Sequence, residues 1–312
     1  MIKYVVKSFL NKSYCYRIAA AKWHKHAVEK DPIGEINRVY HTTFGRYPDL
    51  DNPKNIIEKT YWLTLHTDLS EWTRCADKYL MREYVKECGL EHLLPKNYGR
   101  YDRGEDIDFD QLPKSFVLKT NNASATCIVV KDKDKLDKKK AVKTLNQWLS
   151  IPFGYSGYQP HYLAIKPCII AEEFLVADEE QQQLSPNSLI DYKFYCCEGE
   201  PQVIWTPFNR RPQVEMNLFD VEWKSIPQYL VETEENFIAK RLLKKPDCLN
   251  EMIEAVRTLS KPFPHVRVDF YVIGNKPYIG ELTFTPGYGF FSEELYNKLG
   301  DLVDLSKVKK IK

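Results

Sequence analysis

The most restrictive feature of this sequence is a pair of segments near its C-terminal end in which apolar and polar residues alternate. The first segment runs from Val266 to Val272 and the second from Ile279 to Thr285. Alternation with a period of two is typical of β-strands that bury one face. Gly274 and Asn275 between the segments are common turn residues, so the sequence predicts a β-hairpin here.

The length of the turn decides which charged side chains of this hairpin face each other. A turn over residues 274–276 places Asp269 opposite Glu281 on one face. The same register places Arg267 opposite Thr283, and a two-residue turn would shift both pairs by one position. Like charges directly opposite each other destabilise a β-ladder, and two buried carboxylates close together raise the pKa of one of them.

Two interpretations of this pair of acids follow. A hard divalent cation such as Mg²⁺ would remove the charge conflict, because it prefers carboxylate oxygens and leaves its remaining positions to water and phosphate. Alternatively, the hairpin is exposed and its charges are scattered in solvent. The hairpin by itself leaves both interpretations open.

The order of residues in the hairpin resembles the metal-binding signature of the ATP-grasp enzymes. That signature is Arg-x-Asp on one strand and Glu-x-(Asn or Thr)-x-x-Pro-Gly on the next, and here it reads Arg267–Asp269 and Glu281–Gly287. Together with Asp77–Tyr79 and Phe116–Lys119 upstream, it makes the chain most similar to the TupA-like ATP-grasp branch, which is associated with bacterial surface-polysaccharide biosynthesis. The resemblance covers roughly residues 60–305.

This resemblance implies an α+β protein with the ATP-grasp fold, in which two α+β lobes with antiparallel sheets clamp the nucleotide. We predict a helical and loop-rich N-terminal extension over residues 1–75, a first lobe with a flap loop over 76–178, and a second lobe with the metal site over 179–312. Residues 1–30 carry seven lysines or arginines against one acid. They are predicted either to pack as a helix on the main domain or to make weak contact with an anionic membrane surface.

The resemblance also implies that three lysines bind the phosphates of the nucleotide. Lys78 is implied to be a first nucleotide contact, although a solvent-exposed lysine in the first turn of a helix is the commoner case. Lys119 ends a predicted strand and Lys193 lies on a later one, and both are implied to neutralise phosphate and to assist catalysis. Residues 121–126, which follow Lys119, correspond to the flap but contain no glycine, which is a departure from the family pattern.

The buried strand predicted over Ile165–Leu175 ends in a segment that resembles the hinge between the two lobes of the family. Backbone groups near Glu173 and Leu175 are implied to bind the edge of the adenine. The carboxylate of Glu172 is implied to bind its amino group, and Glu179 is implied to bind the ribose.

The hairpin itself is implied to hold the metal. Asp269 and Glu281 are implied to bind Mg²⁺, with Thr283 as a weaker oxygen ligand. Arg267 is implied to stabilise the phosphoryl group as it moves.

Two further residues are candidates for binding the substrate that accepts the phosphoryl group. Arg210 and Arg211 follow a predicted strand, and arginine forks suit planar carboxylates and phosphates. Ordinary surface arginines would look the same in the sequence.

The function implied by the resemblance is an ATP-dependent carboxylate–amine ligase that uses ATP and Mg²⁺, forms an amide through an acyl phosphate, and releases ADP and phosphate. Its substrates are implied to be an amino acid and the carboxylate of a uronic acid sugar or a glutamyl chain, in bacterial capsule or cell-surface polysaccharide biosynthesis. Two other classes stay open: an ATP-dependent sugar phosphotransferase and a non-catalytic nucleotide-binding protein.

The composition limits the kinds of binding partner and the cellular compartment that we expect for this protein. The formal net charge is only +2, so no overall basic field favours a nucleic-acid partner. The eight cysteines include no Cys-x-x-Cys spacing, which favours reduced thiols in the cytoplasm. Neither a signal peptide nor a transmembrane segment is predicted. We therefore expect a cytoplasmic protein, with peripheral contact at the inner face of the membrane as the alternative.

Overall fold

A computed structural model describes residues 14–210 and 213–311, and these fall into two compact units. Unit 1 has the bounds Met1–Tyr47, Asp77–Tyr79 and Lys96–Phe174, and unit 2 has the bounds Pro48–Ala76, Leu80–Pro95 and Leu175–Lys312. The three segments predicted from the sequence stay a prediction. Residues 1–13 of the predicted basic helix lie outside the described residues.

Helices predominate before residue 90, and strands and helices are mixed after it. The helices are α1 (Tyr14–Lys30), α2 (Pro32–Phe44), α3 (Ile56–His66), α4 (Ser70–Ala76), α5 (Met81–Glu87), α6 (Lys138–Leu149), α7 (Pro160–Leu163), α8 (Glu179–Leu184), α9 (Leu249–Ser260) and α10 (Glu293–Asp301). The strands are β1 (Asn97–Tyr101), β2 (Phe116–Thr120), β3 (Cys127–Val130), β4 (Ile169–Glu173), β5 (Tyr192–Cys197), β6 (Glu200–Phe208), β7 (Val214–Asp220), β8 (Asn236–Ile238), β9 (His265–Ile273) and β10 (Lys276–Thr283). Short 3₁₀ helices lie at Glu91–Leu93, Gly104–Asp106, Lys133–Lys135, Pro227–Tyr229 and Leu305–Lys307.

Unit 1 contains an antiparallel sheet in the strand order β1-β4-β2-β3. Phe116 and Leu118 of β2 are fully buried in a cluster that also contains Leu145 of α6 and Ile169 of β4. Because side chains alternate along a strand, burial of Phe116 and Leu118 directs Lys119 to the other face of the sheet. Helix α6 therefore covers the face opposite to Lys119.

Unit 2 contains a sheet in the order β10-β9-β5-β6-β7-β8, antiparallel except for the pair β7 and β8. Helix α9 packs against β5, β6 and β9. Phe194 and Phe270 meet in the core with ring centroids 5.7 Å apart, edge to face. The polar residues that alternate with these core residues lie on the other face of the sheet.

The hairpin of β9 and β10 has a two-residue turn, which is one residue shorter than the turn over 274–276 considered above. A β-bulge in β10 compensates for the missing residue. The turn is only Gly274 and Asn275, both with positive φ (53° and 65°), as expected for a two-residue hairpin turn. A β-bulge at Gly280 adds one residue to β10 and places Asp269 opposite Glu281. The three-residue turn was wrong, but the cross-strand pairing predicted with it is confirmed.

The two sheets and the helices around them confirm the predicted α+β class. Within residues 14–210 and 213–311, no helix combines the length and the apolar character needed to span a membrane.

Candidate functional site

One face of the unit 2 sheet carries a set of polar side chains from neighbouring strands. Asp269 of β9 lies opposite Glu281 of β10 on one side and opposite Lys193 of β5 on the other. Two residues along each strand, and therefore on the same face, Arg267 lies opposite Thr283. These residues form what we call the charged cluster, which is completed by Asp191 and Arg210: Asp191, Lys193, Arg210, Arg267, Asp269, Glu281 and Thr283.

Arg267 makes the largest number of contacts described within the cluster. Its Nε and Nη2 atoms donate to the two carboxylate oxygens of Asp269 at 2.6 and 2.7 Å. Nη2 also donates to Glu281 Oε1 at 2.9 Å and to Thr283 Oγ1 at 3.1 Å. The Thr283 hydroxyl donates to the same Glu281 oxygen at 3.0 Å. The planar guanidinium therefore holds the three predicted metal ligands beside one another.

Lys193 connects Asp269 to a third acid. Its Nζ atom contacts Asp269 Oδ2 and lies 3.1 Å from Asp191 Oδ1. The other oxygen of Asp191 accepts from Arg210. Asp191 was not among the predicted site residues. The signal that could have found it is its position two residues before Lys193, which places both side chains on one face.

Burial and charge shift the pKa values of the groups in this cluster. Burial raises the pKa of Asp269, and the charges of Arg267 and Lys193 oppose that rise without cancelling it. Burial tends to lower the pKa of Arg267, but the neighbouring Asp269 and Glu281 more than offset this, so that its pKa is raised. Arg267 is therefore a permanent positive charge beside a carboxylate whose ionised form is costly to bury.

The cluster offers hard oxygen donors that fit Mg²⁺, namely the two carboxylates of Asp269 and Glu281 and the hydroxyl of Thr283. The charge conflict inferred from the sequence is, however, relieved by Arg267, whose Nη2 contacts both acids. Among the residues described, no group of three or more His, Cys, Asp or Glu side chains is arranged to hold a metal ion. The donors suit a cation that takes its other ligands from phosphate and water, and the metal assignment stays a prediction.

In unit 1, two of the predicted nucleotide residues contact each other. Lys119 Nζ of β2 lies 2.5 Å from Glu172 Oε2 of β4. Lys119 is directly opposite Ile170, so Glu172 is its diagonal neighbour on the same face. Their side chains are 19% and 8% exposed. Glu172, predicted to bind the adenine amino group, is thus held by the lysine predicted to bind phosphate.

Lys78 contacts the loop that follows β2. Its Nζ atom donates to the carbonyl of Ala123 at 2.9 Å, and its backbone N–H donates to the carbonyl of Asn121 at 3.2 Å. The Asn121 side chain donates to the carbonyl of Lys166 at 3.0 Å and accepts from the N–H of Cys168 at 2.7 Å. The first part of the predicted flap is therefore anchored on both sides.

The second part of the same loop is exposed and conformationally unusual. Asn121, Asn122 and Ala123 are buried, whereas Ser124 and Ala125 are exposed. Ala125 has φ 54°, a left-handed conformation that residues with a side chain rarely adopt. The loop thus adopts at an alanine a conformation that glycine would adopt without strain.

The remaining predicted adenine and ribose contacts lie at the end of β4 and beyond it. The N–H of Glu173 donates to the carbonyl of Lys96 at 2.9 Å, and its carboxylate accepts from the N–H of Lys96 at 3.1 Å. Leu175 is half-buried, and Glu179 is exposed at the first position of α8. Their roles stay predictions.

The two arginines predicted to bind the acceptor differ in what the structure describes. Arg210 pairs with Asp191 and its side chain is 46% exposed. Arg211 lies outside the described residues. One predicted acceptor arginine is therefore already bound to an acid of the charged cluster.

Comparison with known proteins adds a family and a fold. The sequence model of a family described as TupA-like ATPgrasp matches residues 58–304. Among solved structures, the chain is similar to an L-amino acid ligase from Bacillus licheniformis, at 13% identity over 92% of this chain and 64% of that chain, with a TM-score of 0.50. It is also similar to a D-alanine–D-alanine ligase from Bacillus anthracis, at 17% identity over 78% of this chain and 73% of that chain, with a TM-score of 0.49. Comparison with curated proteins finds no match.

Proposed function

The chain belongs to the TupA-like ATP-grasp family and has the ATP-grasp fold, and on that premise we propose that it is an ATP-dependent carboxylate–amine ligase. The observation that carries the proposal is the charged cluster of unit 2. It places two acids opposite each other on a hairpin, joins them by an arginine fork, and adds a buried lysine on the next strand. Such an arrangement suits the binding and transfer of a phosphoryl group.

Each residue of the cluster has a proposed role. Asp269, Glu281 and Thr283 would hold Mg²⁺, which when bound supplies positive charge to the β- and γ-phosphates of ATP. Arg267 would donate to the oxygens of the phosphoryl group as it moves, because its fork is rigid and always charged. Lys193 would offset phosphate charge as a compact cation.

The proposed reaction has two steps and needs no protein nucleophile. An oxygen of the acceptor carboxylate attacks the γ-phosphorus of ATP, the bond from that phosphorus to the β–γ bridging oxygen breaks, and ADP leaves. The amine then attacks the acyl carbon of the resulting acyl phosphate, the carbon–oxygen bond to phosphate breaks, and the nitrogen loses its proton. The products are an amide, ADP and phosphate.

Unit 1 would contribute contacts to the nucleotide itself. Lys119 and Lys78 are proposed to bind its phosphates, and Glu172 and Glu173 the adenine. Lys78 donates to the carbonyl of Ala123, and Lys119, which is 19% exposed, contacts Glu172. A partly exposed lysine exchanges its partner for phosphate oxygens at lower cost than a buried one.

In unit 2, Leu175 is proposed to meet the adenine and Glu179 the ribose. The acceptor is proposed to be a uronic acid sugar or a glutamyl chain, and the amine an amino acid, within the synthesis of a bacterial surface polysaccharide. This substrate class is supported by the resemblance of the sequence to the TupA-like branch. Arg210 and Arg211 remain proposed acceptor contacts.

The proposal is tested by measuring ADP and phosphate release from the full chain with glucuronate or a glutamyl peptide as acceptor and a panel of amino acids as amines. We expect release only when both substrates are present, with a product whose mass is that of the two substrates less one water. The variant Asp269→Asn should lose this release. Its control is Glu200→Gln, which alters an exposed acid paired with Arg257 at 2.9 Å and should retain it.

Two results would contradict a ligase. A product that retains the phosphoryl group would identify a phosphotransferase instead. Failure of ADP with Mg²⁺ to raise the melting temperature of the wild-type protein would contradict nucleotide binding altogether, because a ligand that binds the folded state stabilises it.

A further inference from the structure

Two aromatic residues of unit 2 carry buried polar atoms for which the described part of the chain offers no hydrogen-bond partner. They are Trp205, through its indole Nε1, and Tyr195, through its hydroxyl. The two residues are only 6% and 7% exposed. Burial raises the pKa of Tyr195 to about 12, and the neighbouring positive charge of Arg267 opposes that rise. Unsatisfied buried donors cost stability and therefore require an explanation.

The strand register places both residues on the face that carries the charged cluster. Trp205 of β6 lies opposite Lys193, and Tyr195 of β5 lies opposite Arg267. Residues directly opposite each other on neighbouring strands point to the same face of a sheet. The two unsatisfied donors therefore extend the cluster along the sheet.

Two phenylalanines beyond the hairpin cover these donors. The ring of Phe290 stacks on Trp205 with centroids 4.8 Å apart. The centroid of the Phe291 ring lies 5.8 Å from that of Trp205 and 5.1 Å from that of Tyr195. The carbonyl of Phe290 accepts from the N–H of Val231 at 2.9 Å, so its backbone is fixed. Its side chain is half-buried, and a rotamer change would uncover the face of the Trp205 ring without breaking that bond. Tyr195 is covered by Phe291 instead.

We propose that Trp205 and Tyr195 bind the carboxylate of a sugar acid, which reaches them when the side chains of Phe290 and Phe291 swing away. This assignment rests on the proposed ligase function and names a binding site for its acceptor. An indole N–H can only donate and a carboxylate can only accept, so the two are complementary. The exposed face of the Trp205 ring would then contact the apolar face of the sugar, in the place that Phe290 occupies in this structure.

Binding of D-glucuronate to the full chain, with ADP and Mg²⁺ present, tests the role of Trp205 by titration calorimetry. D-glucose serves as the neutral analogue. We expect Trp205→Phe to raise the Kd for glucuronate by about 10- to 100-fold, because a hydrogen bond to a charged group is lost. The matched control is Trp223→Phe, whose indole N–H already donates to the carbonyl of Leu243 at 3.1 Å, and its Kd should stay unchanged.

A second pair of variants removes one hydroxyl each. Tyr84 donates its hydroxyl to the carbonyl of Leu259 at 2.8 Å, so Tyr84→Phe should lower the Tm and leave glucuronate binding unchanged. Tyr195→Phe should show the reverse, with weaker glucuronate binding and a Tm that is unchanged or higher.

The outcomes separate the binding site from the ligase function. If Trp205→Phe and Tyr195→Phe bind glucuronate as the wild type does, or if the wild type binds it no better than glucose, the acceptor site is elsewhere and the assignment is wrong. A retained Tm shift with ADP would still leave nucleotide binding intact in that case. Loss of the ADP shift in the wild type would instead contradict the proposed function.

Discussion

The charged cluster of unit 2 and the lysine contacts of unit 1 achieve their charge balance in different ways. In the cluster, Asp269 is 3% exposed and both of its oxygens are bound by cations from two strands. In unit 1, Lys119 meets Glu172 in a single ion pair, and Lys78 meets the neutral carbonyl of Ala123. The cluster links acids and cations of three strands, and its Lys193 is 9% exposed, whereas Lys119 of unit 1 is 19% exposed.

This difference indicates different tasks. A buried network in which each charge has more than one partner is held in position before any ligand binds, as electrostatic stabilisation of a transition state requires. A more exposed lysine exchanges its partner for a ligand at lower cost than a buried one. We therefore expect unit 2 variants to affect catalysis strongly, with a loss of stability where a cation is removed, and unit 1 variants to affect nucleotide affinity with a smaller loss of stability.

The largest effect is expected from Asp269→Asn, which removes a central charge of the network. Turnover of ATP with an active acceptor pair should fall about 1000-fold, because charge stabilisation worth several kcal/mol is lost. The Tm should change little, since Arg267 retains Glu281 and Lys193 retains Asp191. Kinetics and thermal unfolding measure both effects. A variant with full turnover would show that Asp269 is structural, and unfolding of the variant would show that the network depends on it.

The second test compares Lys193→Met with Lys119→Met. Removal of Lys193 leaves Asp269 and Asp191 with one cation fewer in a buried site, and we expect it to lower the free energy of unfolding by about 3 kcal/mol. Removal of Lys119, which is more exposed and contacts one acid in the described ion pairs, should cost less than removal of Lys193. Urea unfolding of the two variants measures the difference. Equal losses would mean that the ion pairs of Lys193 and Lys119 contribute equally to stability despite the difference in burial.

Acid should weaken unit 2 through His265 of β9. This side chain is 4% exposed, its Nε2 lies 3.0 Å from Thr60 Oγ1, and burial lowers its pKa to about 4. The unfolded chain, with an ordinary histidine pKa, binds a proton that the folded chain does not. Stability is therefore complete above about pH 6.5 and falls by about 3 kcal/mol as the pH drops to about 4. The slope of the free energy of unfolding against pH, measured by urea unfolding between about pH 4 and 6.5, should be shallower in His265→Gln. An identical slope would assign the acid sensitivity to other groups.

The smallest effect is expected in the glycine-free loop of unit 1. Ala125→Gly relieves a left-handed residue and should raise the free energy of unfolding by up to about 1 kcal/mol. Ala123→Gly is the control, because Ala123 is buried and not at positive φ, and it should lower stability by about 1 kcal/mol. Both are measured by chemical denaturation. Destabilisation by both substitutions would show that loop strain does not matter at residue 125.

Much of the fold and the family could be predicted from local patterns. The alternation of Val266–Val272 and Ile279–Thr285 predicted β9 and β10, and the motif residues of this hairpin predicted the family and the fold that the comparisons confirm. The length of the turn could not be predicted, because Gly274 and Asn275 suit a two-residue turn as well as a longer one. The two-residue turn shifts the strand pairing by one position, and the bulge at Gly280 restores it. The predicted roles of the site residues stay predictions.

The sequence by itself determined which side chains share a face of each strand, because alternation with a period of two is a property of the local backbone. Only the tertiary structure decided which charges neutralise one another. Arg267 bridges to Glu281 across 14 residues, and Lys193 reaches Asp269 across 76. The energy of a buried charge depends on its distance to other charges and on how far water is excluded. Both are set by strands that are distant in the chain, so no local pattern contains them.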